Sequence, residues 1–301
     1  MIGLFDCHCD TITRVCREGG ALRKNAFHID LERLKRFSPC AQVFAVCTEL
    51  EHNSAPEAEK ELIALKNELA QNTDTVKLCL CSDDIDEAVH RGMIAALISV
   101  EGAEQISDLD AAFNAGVRII HPTWNYDNAY CGAALGSGSG LTAKGKELVQ
   151  WAQTKGVALD MSHISERGFW DVMEIIQKPV IAGHSNAKAV CNNPRNLTDE
   201  QFMALVRIGG GAGINFYPEF LGLTRDIDAV IAHIEHFLSL GGEKSVLLGC
   251  DFDGIDITPK GLSQVGDLEK LYEALLRRNY AETLVNGIFY NNAYEIMRKM
   301  L

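Results

Sequence analysis

Several things are missing from this chain. It has only 7 prolines in 301 residues and no low-complexity run, so no segment reads as a linker. Its 10 cysteines include no C-x-x-C pair, which argues against a zinc knuckle and a thioredoxin-type redox motif. No stretch approaches the roughly 18 apolar residues that a membrane span needs. Basic residues are scarce: Lys+Arg is 28 against 41 for Asp+Glu, a net charge of −13. Nucleic acid and anionic membrane surfaces are therefore poor partners. The opening Met1-Ile2-Gly3-Leu4-Phe5 lacks a basic flank and runs straight into Asp6, so no secretory leader is expected. These absences predict a cytoplasmic protein whose cysteines are mostly reduced, buried hydrophobes. With 47% hydrophobic residues, one large core is possible, and residues 1–301 are expected to form one domain.

What is present alternates. Apolar, β-rich runs occur at 2–8, 41–48, 75–81, 94–100, 117–121, 157–162, 179–183, 211–217 and 245–250. Helical patterns fill the gaps at 56–71, 84–91, 104–115, 142–155, 165–177, 198–208, 226–240 and 266–278. A helical tail over 281–300 is expected to seal one end. Ser54 with Glu57, and Thr198 with Gln201, read as capping boxes. Such alternation predicts an α/β fold of parallel strands with crossover helices. Nine candidate strands are one too many for an eight-stranded barrel, so 75–81 is set aside as an extra strand. Eight βα units in about 300 residues fit a (β/α)8 TIM barrel, with a doubly wound open sheet as the rival. GGGAG at 209–213 precedes a strand, whereas a dinucleotide loop follows one. GSGSG at 136–140 reads as a flexible loop on the active face.

Residues 5–10, FDCHCD, hold the first chemistry. On a strand, Asp6, His8 and Asp10 share one side, and Phe5, Cys7 and Cys9 the other. Histidines and carboxylates recur where strands are predicted to end: Glu101, His163, His184 and Asp251. In a barrel these ends share one face. The cluster His8, Asp10, Glu101, His163, His184 and Asp251 offers the imidazole and carboxylate donors that suit zinc. It exceeds the needs of one ion. Two ions about 3.5–4 Å apart, bridged by one carboxylate, use it fully, and Glu101 is the expected bridge. His28, His52 and His90 lack this context. His233 and His236 lie at i, i+3 without an H-E-x-x-H pattern and are expected at the surface.

These residues also carry a likeness. FDCHCDT resembles the D-x-H-x-D motif of the membrane (renal) dipeptidase family, in the amidohydrolase-like superfamily. SVEGAEQI, LDMSHIS, GHSNA, NPRNLTDEQ and LGCDFDG resemble later motifs of that family, in the same order and over nearly the whole chain. The resemblance implies a (β/α)8 barrel, two zinc ions and hydrolysis of dipeptides by a metal-bridging hydroxide, and leaves open whether L-D dipeptides are among them. It implies that His8 and Asp10 bind one zinc, that Glu101 bridges, and that His163 and His184 hold the second. Asp251 then handles the proton, and Arg195 binds the substrate's terminal carboxylate. Tyr217 is a further expected substrate-binding residue. The family's substrate-binding histidine falls where this chain reads HPTWN. Trp124 stands at that position, with His121 three places earlier, and both are carried as substrate-binding candidates. Family members are commonly dimers, so a homodimer is expected. A metallophosphoesterase fits poorly: G-N-H-[DE] is missing, and Asn186 stands where its last histidine would be. A deacylase or lactonase of the same class, or a silent metal- or peptide-binding barrel, are the alternatives.

Overall fold

Nine strands alternate with helices in the computed structural model, which describes residues 1–48 and 54–301. They are β1 (Leu4–Asp6), β2 (Cys40–Val46), β3 (Val76–Leu78), β4 (Ile94–Glu101), β5 (Val117–His121), β6 (Ala158–Leu159), β7 (Ile181–Ala182), β8 (Gly211–Ile214) and β9 (Val246–Leu248). Eight of them run side by side in the order β6-β5-β4-β2-β1-β9-β8-β7, all parallel. One bridge, Asp160 to Ile181, links β6 to β7. It brings the sheet nearly to closure as a TIM barrel.

The ninth strand confirms the expected surplus. β3 pairs with Ile94–Ala96 of β4, on the edge whose second half pairs with β5 from Ile98 onward. It fills half an edge and adds no stave.

The barrel interior explains the continuous apolar runs. Phe5, Ala41, Leu97, Ile119, Ala158, Ile181 and Leu247 come from seven different strands and share one cluster. Residues from all round a sheet meet only inside it. Their sequence neighbours, such as Leu4, Ile98, Ile120, Ala182 and Leu248, pack outward into the helix layer. Parallel strands buried on both faces carry few polar positions. Tyr290, Met297 and Met300 of the tail join the interior cluster and plug one end. That tail is not one helix. It runs Glu282–Asn286, then a wide π-type turn at Gly287–Asn291, then Asn292–Met300.

Other boundaries shift for local reasons. The Thr198 box forms: Thr198 Oγ1 accepts the Gln201 N–H (3.2 Å), and Gln201 Oε1 accepts the Thr198 N–H (2.9 Å). The Ser54 box does not form. Ser54 is itself helical (φ −70°, ψ −29°) and makes no side-chain cap, whereas a capping residue needs extended backbone. β6 stops early because Asp160 Oδ1 takes the N–H groups of Ser162 (2.9 Å) and Gly183 (2.8 Å). Short helices Thr11–Glu18, Leu31–Leu34 and Pro218–Leu221 lie in loops where none was predicted. The GSGSG loop is pinned, because Asp127 accepts the N–H groups of Ala133 and Ser137. Seven of the ten cysteines are buried thiols, while Cys16 and Cys81 are exposed and Cys191 is half-buried. Among the described residues, no helix is long and apolar enough to cross a membrane.

Candidate metal centre

The six clustered residues lie at or just beyond C-terminal strand ends. Glu101 ends β4, while His8 and Asp10 follow β1, His163 follows β6, His184 follows β7 and Asp251 follows β9. His163 (φ 69°) and Asp251 (φ 60°) both adopt the left-handed backbone region. Each such residue costs about 1–3 kcal/mol and persists where the surroundings hold it, typically at functional sites.

Strand alternation placed Asp6 with His8 and Asp10, and this needs correcting. β1 ends at Asp6, and regular alternation ends with it. Cys7 packs in the interior cluster with Phe5, while Cys9 packs outward with Leu4. Asp6 stays out of the cluster. Its carboxylate accepts the Cys250 N–H (2.8 Å) and the Gln42 amide (3.4 Å). His8 and Asp10 do meet, at 3.2 Å between Nε2 and Oδ2.

Glu101 is the hub. Its Oε2 lies 3.6 Å from His8 Nε2. Its Oε1 lies 2.8 Å from His163 Nε2 and 3.1 Å from His184 Nε2. Asp251 Oδ1 lies 3.9 Å from His8 Nε2, and Asp251 Oδ2 accepts the Asn215 amide at 2.8 Å. Asn125 Oδ1, 2.9 Å from His163 Nδ1, accepts that N–H and turns the His163 Nε2 lone pair inward.

The charges explain what this arrangement lacks. Burial would lower the His8 pKa, yet Glu101 and Asp10 beside it hold the imidazole well above its usual range. Burial would raise Glu101, but His8 and His163 hold it well below a normal carboxylate. Burial pushes the Asp251 carboxyl up to about 8, with Asp10 and Glu101 adding to the rise against His8. Burial, helped by Arg195, drives His163 down to about 3, and burial with His8 holds His184 well below its usual value. The Nε2 atoms of His163 and His184 are 2.8 Å apart and both face Glu101 Oε1. Neutral imidazole lone pairs converging on a carboxylate call for a cation between them. The donor set therefore fits metal ions.

The sequence missed some neighbours. Cys47, expected only as core, has its sulfur within 4.8 Å of donor oxygens of Asp10 and Glu101. Asn125 and Asn215 orient His163 and Asp251. Asp160 packs beside His121. The available signal was a buried polar residue inside an otherwise apolar run, as in GINFY and VALDMS. His233 is a second correction. It is fully buried, its Nδ1 accepts the Ala187 N–H (3.1 Å), and its Nε2 lies 3.3 Å from the Leu221 carbonyl. It thus fastens the loop after β7. His52 lies outside the described residues.

Above the cluster opens a cleft lined by Asp10, Cys47, Glu101, Trp124, Asn125, Leu135, His163, Arg195, Tyr217, Phe220 and Asp251. Trp124 and Tyr217 reach it. His121 is fully buried and does not line it, so the burial of its ring removes it from direct substrate contact. Arg195 is 4% exposed, and its Nε and Nη2 have no hydrogen-bond partner among the described residues. Burial lowers its pKa to about 10, opposed by Glu101 and Asp251.

Known proteins share this architecture. The family model for membrane dipeptidase (peptidase family M19) matches residues 1–300. An uncharacterized protein in the pqqA 5′ region of Klebsiella pneumoniae is 34% identical over 258 residues, covering 80% of this chain and 95% of its own. An uncharacterized dipeptidase of Schizosaccharomyces pombe is 33% identical over 239 residues, covering 74% and 58%. The crystal structure of dipeptidase AC, a metallopeptidase of family M19, superposes with a TM-score of 0.90 at 27% identity, covering 99% of this chain and 98% of its own. A metallopeptidase from Rhodobacter sphaeroides, liganded with a phosphinate mimic of the dipeptide L-Ala-D-Ala, superposes at 0.88 with 26% identity, covering 100% and 99%. The chain thus belongs to the membrane dipeptidase family, peptidase family M19, and with it to the metal-dependent hydrolases of peptide bonds.

Proposed function

We propose that the chain is a two-zinc dipeptidase that accepts a D-residue at the second position of its substrate. Glu101 carries this reading. One of its oxygens faces His8, and the other faces His163 and His184. A carboxylate divided between two donor sets is what a bridge between two cations requires. In this reading His8 and Asp10 would hold one ion, His163 and His184 would hold the other, and Glu101 would serve both. When bound, zinc supplies Lewis acidity at the scissile carbonyl and lets water ionise near neutral pH.

The chain's own residues do the rest. The buried Arg195 guanidinium, with two nitrogens lacking a partner among the described residues, takes the substrate's terminal carboxylate in its fork. That anchor sets the distance from carboxylate to scissile bond at one residue, which selects dipeptides. Asp251 accepts the proton of the attacking water and delivers it to the leaving amine. Asn215 holds its Oδ2, so Oδ1 is the oxygen turned toward His8. Trp124 and Tyr217 flank the cleft and contact the substrate. Tolerance of a D-residue is supported by the Rhodobacter relative, which is liganded with an L-Ala-D-Ala mimic.

The test is to strip metal with a chelator, titrate zinc back, and follow amino-acid release from L-L and L-D dipeptides. Two bound zinc ions per chain and restored cleavage of both series are expected. Protein that holds two zinc ions yet cleaves no dipeptide would move the assignment to a deacylase or lactonase.

A further inference from the structure

Beside the cluster lies a second polar group, which shares His184 with it and adds His121 and Asp160. His121 ends β5 and Asp160 follows β6, and both are fully buried. His184 is 1% exposed. None of the three lines the cleft. Donor atoms of the three lie within 4.8 Å of one another, and His121 Nε2 is 3.5 Å from Asp160 Oδ2. Neither nitrogen of His121, nor Asp160 Oδ2, nor His184 Nδ1 has a hydrogen-bond partner among the described residues. A buried polar atom left unsatisfied costs about 1–3 kcal/mol. Such groups are usually satisfied by an ordered water.

The carboxylate is held so that one oxygen is left over. Asp160 Oδ1 already takes the N–H groups of Ser162 and Gly183, so Oδ2 is the oxygen turned toward His121. Gly183 makes room for it: a Cβ at that position would sit 2.0 Å from Asp160 Oδ2.

We propose that Asp160 Oδ2, His121 and His184 Nδ1 together bind one water molecule, and that through it Asp160 fixes the His184 ring with Nδ1 protonated and Nε2 turned to the metal centre. His121 Nε2 and Asp160 Oδ2 stand 3.5 Å apart, and a ring nitrogen of His184 lies within 4.8 Å of its nearby donors in this group, spacing that suits groups sharing one water rather than bonding to each other. The water donates one hydrogen to Asp160 Oδ2 and accepts the His184 Nδ1–H. A ring nitrogen of His121 takes its second hydrogen. His163 has the matching support directly, from Asn125. Metal-holding histidines commonly pass their other N–H to an outer carboxylate, directly or through water. Asp160 and His121 are thus positioning residues, and their effect on metal affinity rests on the two-zinc reading. The water site rests on geometry alone.

Asp160→Asn is the sharp variant. It keeps the oxygen that Ser162 and Gly183 use and replaces Oδ2 with an NH2 that cannot accept. Competition of the full chain against a chromophoric chelator is expected to show one zinc ion bound roughly 10–100-fold more weakly and the other unchanged. For a dipeptide, kcat is expected to fall more than KM rises. Unchanged affinity for both ions in a folded Asp160→Asn protein overturns the positioning role. The wild-type crystal structure, with diffraction collected at the zinc edge, does not depend on the variant folding. A peak without anomalous signal, within hydrogen-bond reach of Asp160 and His184, is expected. An anomalous peak there means a third metal, and no peak means no bound water; either result overturns the site. Wild-type protein that binds no zinc would instead sink the two-zinc reading, while the density beside Asp160 would still decide the water site.

Discussion

Arg195 is a guanidinium kept almost wholly out of water, and two of its nitrogens have no hydrogen-bond partner among the described residues. A buried charge of this kind is costly until a partner arrives. Hydrogen bonds to charged groups contribute about 1.5–3 kcal/mol each, so Arg195→Met is expected to lower kcat/KM for dipeptides by roughly 10–150-fold. Steady-state kinetics on a dipeptide and its C-terminal amide check the cause. The variant should lose the preference for the free carboxylate, and an unchanged preference would remove Arg195 from substrate binding. Asp251→Asn is expected to keep both metals while kcat falls by about 10²–10⁴-fold, the usual size of acid–base catalysis. Full activity in that variant would leave the proton with another group. At this scale the six clustered residues were legible, because each stands at a predicted strand end. Asp160, Asn125 and Asn215 were not. Each acts by holding another side chain, and a single sequence does not say which polar residue faces which. Asp6 was misplaced because alternation was carried past the end of β1.

Elements were legible where periodicity is long and boundaries are chemical. Helices Ala143–Lys155 and Asp199–Arg207 follow the predicted spans within a residue at each end. The Thr198 cap shows why: its hydroxyl and the Gln201 side chain satisfy each other's N–H groups. Thr198→Ala is expected to destabilise the protein by about 0.5–2 kcal/mol, read from urea unfolding. A change below that range would mean that packing, not the cap, sets this helix end. The strands were located but drawn too long. β6 and β7 are only two residues each, because the Asp160 carboxylate competes for the backbone N–H groups beyond them. Short helices such as Pro218–Leu221 carry too little periodicity to read. The tail was expected to seal one end, and Met297 is fully buried in doing so. Met297→Ala is expected to cost about 2–5 kcal/mol of stability. Because the plug and the site occupy opposite ends of the barrel, zinc affinity in that variant should match wild type.

At the scale of the whole molecule, the barrel was legible from the count and order of βα units, and β3 from being one too many. What could not be read was how tightly the sheet closes, because that depends on backbone geometry rather than residue type. Ligand binding to the folded state alone adds RT ln(1 + [L]/Kd), about 2.7 kcal/mol at 100-fold excess over Kd. Removing metal is therefore expected to lower the melting temperature, and zinc is expected to restore it. Identical melting with and without zinc would mean that the centre is not loaded.

The join between β6 and β7 gives this coupling a location. One bridge, the Met161 N–H to Ile181 carbonyl bond and the side-chain bonds from Gly183 N–H to Asp160 Oδ1 and from His184 N–H to Ser162 Oγ tie those neighbours together, whereas β2 and β4 pair over seven residues. His163 and His184 stand just beyond that thin seam, one from each side. An ion gripped by both is a clasp on a thin seam of the barrel. Chelation is then expected to open the barrel there first, with the amides of Met161 and Gly183 exchanging hydrogen sooner than those of β4. A mutation that disarms either histidine would loosen the enclosure as well as the chemistry.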